Sequence, residues 1–326
     1  MSAALLGLLA LVLAGEERCL LRDPAVLAPP ALLGPPLDGR GVDLCPPDRV
    51  RAGELPLRAS PAREVPGTER GPYVCEHDGC WAWAGVGERG ALIGAAATLE
   101  VWSPMVGRNE HSLAELSVRG GPDLREILEI GWTVSPRHRA DGRPILLVQR
   151  WVAGRLREGS GGLHPWSSAY APGMDLSAWI GHSIRVGWLL WEGRWWAWFE
   201  GSWIGWYGGE EGIPFEVAGA AQWFGEVFFA GALPALPMGN GRPAEAAGAA
   251  RFRELCTIAR GETRCAPPRT LWPRVTDRAL YGLAVEASDR FRYGGPGGLL
   301  TPRPPPSSAS GGTPPGTGRS GPSRPR

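Results

Sequence analysis

Two glutamates of this 326-residue chain stand in unusually apolar surroundings. Glu129 lies in Ile127-Leu128-Glu129-Ile130-Gly131-Trp132, and Glu226 lies in Trp223-Phe224-Gly225-Glu226-Val227-Phe228-Phe229. A carboxyl group among bulky apolar residues costs free energy unless it has a partner. If the two groups share a partly dry cleft, one keeps its proton while the other ionises, which provides an acid and a base. The other interpretation is that each glutamate points to water from a strand edge.

The sequence lacks the motifs of several other catalytic mechanisms. There is no Gly-x-Ser-x-Gly elbow and no His-Glu-x-x-His helix, and a phosphate loop is excluded because the chain contains no lysine. The five histidines are scattered singly, which is typical of surface or hydrogen-bonded histidines: His77, His111, His138, His164 and His182. Carboxyl chemistry therefore remains, and no cofactor is predicted.

Six cysteines form an even set, which in an exported chain favours disulfides over a nucleophilic thiol. The spacing favours two disulfides that close short loops, Cys75–Cys80 and Cys256–Cys265. The two remaining cysteines would then form the pair Cys19–Cys45. Zinc is the alternative for the segment that runs from Cys75 through His77 to Cys80. A four-residue gap without a second Cys/His pair nearby is a weak zinc signal, so no metal is predicted.

The N-terminal residues predict export. Residues 3–14 form an apolar run that is shorter than the roughly 20 residues a membrane span needs. Val12 and Ala14 suit the positions before a signal-peptide cut at Gly15, although no basic residue precedes the run. A buried N-terminal helix is the alternative. We expect a secreted protein with no membrane anchor in its mature form.

Charge gives little information about partners. The formal net charge of +1 provides no overall field that would collect nucleic acid, so no nucleic-acid partner is predicted. The oligomeric state stays open.

The segments that must position the glutamates read as strands. Residues 183–188 alternate in polarity, Glu192-Gly193-Arg194 and Glu200-Gly201 supply turns, and residues 195–199 and 203–207 continue the pattern. Many short strands without alternating helices predict an all-β fold, either a β-sandwich or a barrel, and we favour an antiparallel β-sandwich of two packed sheets. Half of the 16 tryptophans lie between positions 179 and 206. We favour packing between sheets over a sugar-stacking platform for them.

Composition divides the chain into five parts. Residues 1–14 are the predicted signal peptide, and the proline-rich residues 15–71 are a propeptide or linker. Residues 72–265 form the folded domain, and residues 266–293 are a C-terminal extension. Residues 294–326 are almost all Pro, Gly, Ser, Thr and Arg, which predicts a disordered tail.

Several motifs between about Tyr73 and Cys265 resemble, in order, those of the neprosin domain of plant glutamic peptidases. Glu129-Ile130-Gly131-Trp132 is similar to the family's Glu-Ala-Gly-Trp, and residues 223–227 are similar to its Trp-Gly-Gly-Glu-Val. Further similar segments precede, separate and follow these two: 94–104, 110–116, Trp195-Trp196, Gly205-Trp206-Tyr207 and Met238-Gly239-Asn240-Gly241. The sequence departs from the plant pattern where Phe224 replaces a glycine, where Gly208 replaces a proline, and where no cysteine occurs near residues 158–170.

The resemblance implies a β-sandwich endopeptidase that is made as a zymogen and works in acid on a polypeptide substrate, cleaving after proline. The family's two catalytic glutamates correspond to Glu129 and Glu226. The aromatic residues that flank the matched motifs are the candidates for the substrate pocket: Trp132, Trp206, Tyr207 and Trp223.

Two further function classes fit the same residues. Two carboxylates on a tryptophan-rich β-fold also describe a glycosidase, in which they are roughly 5 to 9.5 Å apart. A non-catalytic module could instead hold a carbohydrate or peptide on its tryptophans, with structural glutamates.

Overall fold

The computed structural model describes residues 73–76, 79–157, 160–167, 169–208, 214–230 and 236–298. The predicted signal peptide, the proline-rich residues 15–71, the pair Cys19–Cys45 and most of the predicted tail lie outside these residues.

The described residues are almost entirely β-structure, which confirms the predicted all-β class. Two short 3₁₀ helices, Pro122–Leu124 and Ser177–Trp179, accompany fifteen strands. In chain order the strands are β1 (Val74–Glu76), β2 (Gly79–Glu100), β3 (His111–Gly120), β4 (Glu126–Val134), β5 (Ile145–Val152), β6 (Arg155–Leu156), β7 (His164–Pro165), β8 (Ser183–Trp191), β9 (Arg194–Phe199), β10 (Ser202–Gly208), β11 (Ala218–Phe229), β12 (Ala250–Ala259), β13 (Trp272–Val275), β14 (Gly282–Ala287) and β15 (Arg290–Gly294).

The 22-residue strand β2 connects the whole architecture. Its first half pairs with β11, and its second half pairs with β8 on one side and β12 on the other. The main path of the sheet runs β6-β5-β4-β3-β11-β2-β8-β9-β10-β7, with every pairing antiparallel. The described strands therefore form one continuous sheet, and the prediction of two separate packed sheets is not confirmed.

The two hairpins predicted from Glu-Gly pairs are present. Glu192 and Gly193 have φ of 47° and 69°, and Glu200 and Gly201 have φ of 45° and 81°. Positive φ at both central residues is the signature of a type I′ turn, whose twist matches that of the flanking strands. These turns join β8 to β9 and β9 to β10, which confirms the strand pattern expected for this region.

Alternate residues of the strands fill the core. On β4, Leu128, Ile130 and Trp132 are fully buried against Trp223 of β11 and Trp188 of β8 in one large apolar cluster. Tryptophans of β9 and β10 form a second cluster with Leu189 and Ile258. Most tryptophans between positions 179 and 206 are buried, in line with the packing role favoured above.

The segment after residue 265 belongs to this sheet. Strand β13 pairs with the first half of β2, and β15 pairs with β12. The boundary expected at residue 265 therefore does not separate an extension from the domain. The chain also forms two disulfides at the pairs that the spacing favoured, Cys75–Cys80 and Cys256–Cys265.

Candidate active site

Three neighbouring strands bring three carboxyl groups to one face of the sheet. Strand β3 lies between β4, which carries Glu129, and β11, which carries Glu226. Glu129 is paired in register with Ser117 of β3, and Glu226 is paired with Leu113. Because successive side chains of a strand point to opposite faces, Leu113, Glu115 and Ser117 share a face. Both predicted glutamates and Glu115 of β3 therefore point to the same side.

All three glutamates are buried. The exposed fractions are 6% for Glu129, 5% for Glu226 and 2% for Glu115. This removes the interpretation that the two predicted glutamates point to water from strand edges. Carboxyl groups in such surroundings need hydrogen-bond donors or a retained proton.

Glu129 is held from the neighbouring strand β5. The Nε1 atom of Trp151 donates a hydrogen bond to Glu129 Oε2 at 2.6 Å. Donation of an N–H to a carboxylate stabilises the charged form. A second hydrogen bond joins the carboxyl groups of Glu129 and Glu115.

Glu226 has an imidazole partner. His111 Nε2 lies 3.3 Å from Glu226 Oε1, and the His111 ring stacks on Phe228 with ring centroids 5.4 Å apart. A second histidine, His138, lies close by, and burial, followed by the charges of His111 and Arg137, lowers the pKa of His138 to about 4.

Glu115 has a strongly perturbed carboxyl group. Burial raises the pKa of Glu115 well above its ordinary value, the charges of Glu129 and Glu226 and the hydrogen bond to Glu129 raise it further, and Arg119 opposes the shift. The site therefore retains a proton at pH values where an isolated glutamate has lost it.

Glu129 and Glu226 line one pocket of about 130 Å³. Its walls include the aromatic side chains of Trp83, Trp151 and Trp272. Further lining residues provide polar, cationic and apolar groups: Gln222, Arg119, Arg274, Ile127 and Phe224. The Arg274 guanidinium lies over the Trp83 ring at 4.9 Å, and burial lowers the pKa of Arg274. The pocket combines acidic groups with a partly apolar wall, which suits a peptide segment.

Two glycines explain how the strands approach each other here. A Cβ on Gly131, directly opposite Glu115, would lie 2.0 Å from the carbonyl oxygen of Ala114. A Cβ on Gly87 would lie 2.3 Å from the Trp272 ring, which covers this position from β13. A side chain at Gly131 would displace the backbone of β3, and a side chain at Gly87 would displace the Trp272 ring.

The aromatic residues predicted for the substrate pocket lie elsewhere. Trp132 and Trp223 occupy the opposite face from the glutamates, where their Nε1 atoms donate to the carbonyl oxygens of Glu100 and Ala96. Trp206 belongs to the separate cluster on β9 and β10. Tyr207 is buried with its hydroxyl donating to the carbonyl of Ser160. Burial raises the pKa of Tyr207, with Arg150 opposing the shift and Glu129 adding to it.

Sequence reasoning missed Glu115 and the aromatic wall. Glu115 sits in Leu113-Ala114-Glu115-Leu116, an apolar setting like that of Glu129, so the same criterion could have found it. The wall residues Trp83, Trp151 and Trp272 come from three different strands, and no local signal joins them. Phe224, noted as a departure from the plant pattern, is part of the pocket lining.

Among the described residues, no group of three or more His, Cys, Asp or Glu side chains has an arrangement suited to a metal ion. Within the same residues, no helix has the length and apolarity needed to span a bilayer.

Fold and site together define an all-β protein with a carboxyl-lined acid–base pocket. The Neprosin family model matches residues 108–296, more than half of the chain, and the chain belongs to this family. Family membership supports a peptidase. The matched range includes all three glutamates and continues through β15, well beyond residue 265.

Among curated proteins, no sequence matches the chain significantly. Similar solved structures include Scytalido-glutamic peptidase with a transition state analog inhibitor, at 13% identity, 66% coverage of this chain and 97% of that chain, with a TM-score of 0.42. SCP-B, a member of the Eqolisin family of peptidases in complex with the tripeptide Ala-Ile-His, is 13% identical. The match covers 66% of this chain and 97% of that chain, with a TM-score of 0.41. A carbohydrate-binding module from Bacillus subtilis is 10% identical. The match covers 49% of this chain and 88% of that chain, with a TM-score of 0.27. TM-scores below 0.5 do not establish a shared fold.

Proposed function

We propose that this protein is a secreted glutamic endopeptidase that hydrolyses peptide bonds in acid, with Glu129 and Glu226 activating water. One observation carries the proposal. The two glutamates singled out by their sequence surroundings lie on strands β4 and β11, are both buried, and line the same pocket.

The reaction follows from two carboxyl groups in different protonation states. One glutamate, as carboxylate, takes a proton from a water molecule whose oxygen attacks the scissile carbonyl carbon. The other, as carboxylic acid, stabilises the oxyanion and then gives its proton to the leaving amine as the C–N bond breaks. An acidic working range follows because one carboxyl proton must be retained.

Cleavage after proline is the proposed specificity. The Trp83, Trp151 and Trp272 side chains give the pocket a flat apolar wall, and a proline ring can pack on such a surface without leaving a buried donor unpaired. Phe224, in place of the plant glycine, narrows this pocket.

Export and activation complete the proposal. Residues 1–14 act as the signal peptide, and residues 15–71 act as an inhibitory propeptide that acid processing removes. These statements rest on the apolar run, the proline-rich composition and the position of the segment ahead of the domain.

The test is hydrolysis of fluorescein-labelled gelatin, a proline-rich protein, between pH 3 and pH 7 by the parent, E129Q and E226Q. Glutamine keeps the shape of glutamate and removes the ionisable proton. Each change should lower kcat by about 10²- to 10⁴-fold, and the double variant should be little worse, because acid and base act as one unit.

The exposed turn residue Glu192 supplies the control E192Q, which should be as active as the parent. Glu200 does not serve as an exposed control, because it is buried and accepts a hydrogen bond from the Arg185 backbone N–H. Full activity of folded E129Q or E226Q would eliminate the glutamate mechanism. Cleavage of polysaccharides in a parallel panel would identify a glycosidase, and binding without cleavage would identify a binding module.

A further inference from the structure

Glu115 occupies the position between the two proposed catalytic glutamates. It is paired with Gly131 of β4 on one side and with Phe224 of β11 on the other. Glu129 precedes Gly131 by two residues, and Glu226 follows Phe224 by two residues. In antiparallel strands these offsets displace Glu129 and Glu226 in opposite directions along β3. The three carboxyl groups therefore form a diagonal row with Glu115 in the middle.

This arrangement separates the two outer glutamates. With strands about 4.8 Å apart and a rise of about 3.4 Å per residue, the Cα atoms of Glu129 and Glu226 would be roughly 17 Å apart in a flat sheet, and each would be roughly 8 Å from Glu115. Glu115 is thus the nearer carboxyl neighbour of each. If Glu129 and Glu226 share a proton, they therefore share it through the carboxyl group of Glu115.

The contacts of Glu115 favour its neutral form. Its Oε2 atom is buried with no hydrogen-bond partner among the described residues, and its hydrogen bond goes to another carboxyl group. A buried carboxylate requires donors to both oxygens or a close cation. The charged groups that act on it are Glu129 from β4, Glu226 from β11 and Arg119 from its own strand, so anions outnumber the cation. Glu115 therefore carries the O–H and donates it to Glu129.

Glu129 consequently accepts two hydrogen bonds, one from Trp151 and one from Glu115. Two donors favour the charged form of a carboxyl group. We propose that Glu115 is a positioning residue of the active site, whose carboxylic acid holds Glu129 as the carboxylate. This inference rests on the proposed peptidase function. Glu115 does not line the pocket, so it acts on Glu129 and not on the substrate.

The kinetic test compares E115L, which removes the donor, with E115Q, whose amide N–H can still donate to Glu129. E115L should lower kcat about 10- to 100-fold, the effect of losing one hydrogen bond to a charged group, with KM unchanged. The acid limb of kcat/KM, which reports ionisation of the base, should move to higher pH. E115Q should recover most of kcat and restore the acid limb. Parent-like kcat and acid limb in E115L, or no rescue by E115Q, would overturn the inference.

An infrared readout is independent of peptidase activity. At about pH 6 the parent should show the C=O stretch of buried protonated carboxyl groups, and the part of this band that belongs to Glu115 should be missing from the difference spectrum of E115Q. The control E88Q replaces another buried glutamate, outside the pocket, and should retain the band. A band of undiminished intensity in E115Q overturns the inference even if E115L does not fold. If the parent is inactive on gelatin but E115Q lacks the Glu115 part of the band, the proposed function fails and the proton assignment to Glu115 stands.

Discussion

Replacing Glu115 with glutamine is expected to stabilise the protein progressively as the pH rises above 4. Burial and the charges of Glu129 and Glu226 raise the pKa of Glu115 in the folded state. An unfolded glutamate has a pKa of about 4.3. Between that pH and the folded pKa, the folded state binds more protons than the unfolded state, so the free energy of unfolding falls as pH rises. Glutamine does not titrate, so the free energy of unfolding of E115Q does not fall for this reason.

The magnitude follows from the slope of about 1.4 kcal/mol per pH unit for one proton. A carboxyl group that stays protonated in the folded state from pH 4.3 to pH 6 costs the parent about 2 kcal/mol over this range, and E115Q does not lose this amount. Other carboxyl groups titrate in both proteins, so the difference between them isolates Glu115. Urea unfolding at pH 4, 5 and 6, followed by tryptophan fluorescence with the disulfides intact, measures this difference.

The matched control is E88Q. Glu88 is also buried, but it accepts hydrogen bonds from Thr257 Oγ1 at 2.6 Å and from the Arg269 backbone N–H at 2.7 Å. An amide has only one acceptor oxygen, so the free energy of unfolding of E88Q should be about 1–3 kcal/mol below that of the parent. This difference should not shrink between pH 4 and pH 6. If the difference between E115Q and the parent is the same at pH 4 and pH 6, Glu115 ionises as an ordinary glutamate and the reasoning is refuted.

The remaining predictions concern the core and the N-terminal segment. W132A should lower the free energy of unfolding by about 3–5 kcal/mol while leaving the KM of the folded enzyme unchanged, because Trp132 is fully buried on the face opposite the pocket. A KM change without loss of stability in urea titrations would instead place Trp132 in the substrate site. Mass spectrometry of the secreted protein should find a start near Gly15 and no free thiol, and detection of intact residues 1–14 would contradict this. Acid incubation should remove residues 15–71 and raise activity on gelatin, whereas unchanged activity would make this segment a linker.

The parts of the fold that follow from local sequence could be predicted. The Glu192-Gly193 and Glu200-Gly201 turns have positive φ at both central positions, and the glycine of each pair signals the turn in the sequence. Strand β13 could not be predicted in the same way. Its four residues include Pro273, and proline is unsuited to a central strand. It is tolerated here because β13 is an edge strand that pairs with β2. A boundary drawn at residue 265 therefore cut through the sheet.

The site could be predicted only in part, for a reason of geometry. Apolar surroundings identify a glutamate that must be buried, and they do so equally for Glu129, Glu226 and Glu115. Which of these glutamates meet depends on the strand order β4-β3-β11 and on the register of each pair, and a single strand does not encode either. The sequence indicated that Glu129 and Glu226 could share a cleft, but it did not indicate that strand β3 lies between them.

The motif Glu129-Ile130-Gly131-Trp132 shows why the pocket and the core are inseparable in this strand. Its residues alternate, so Glu129 and Gly131 face the pocket while Ile130 and Trp132 are fully buried in the core. A register shift of one residue would place two apolar side chains in the pocket and a carboxyl group in the core. Trp132 packing therefore fixes the register that presents Glu129, and the absence of a Cβ at Gly131 lets β3 approach with Glu115 opposite. A tryptophan on the face opposite the pocket thus helps to set which face Glu129 occupies.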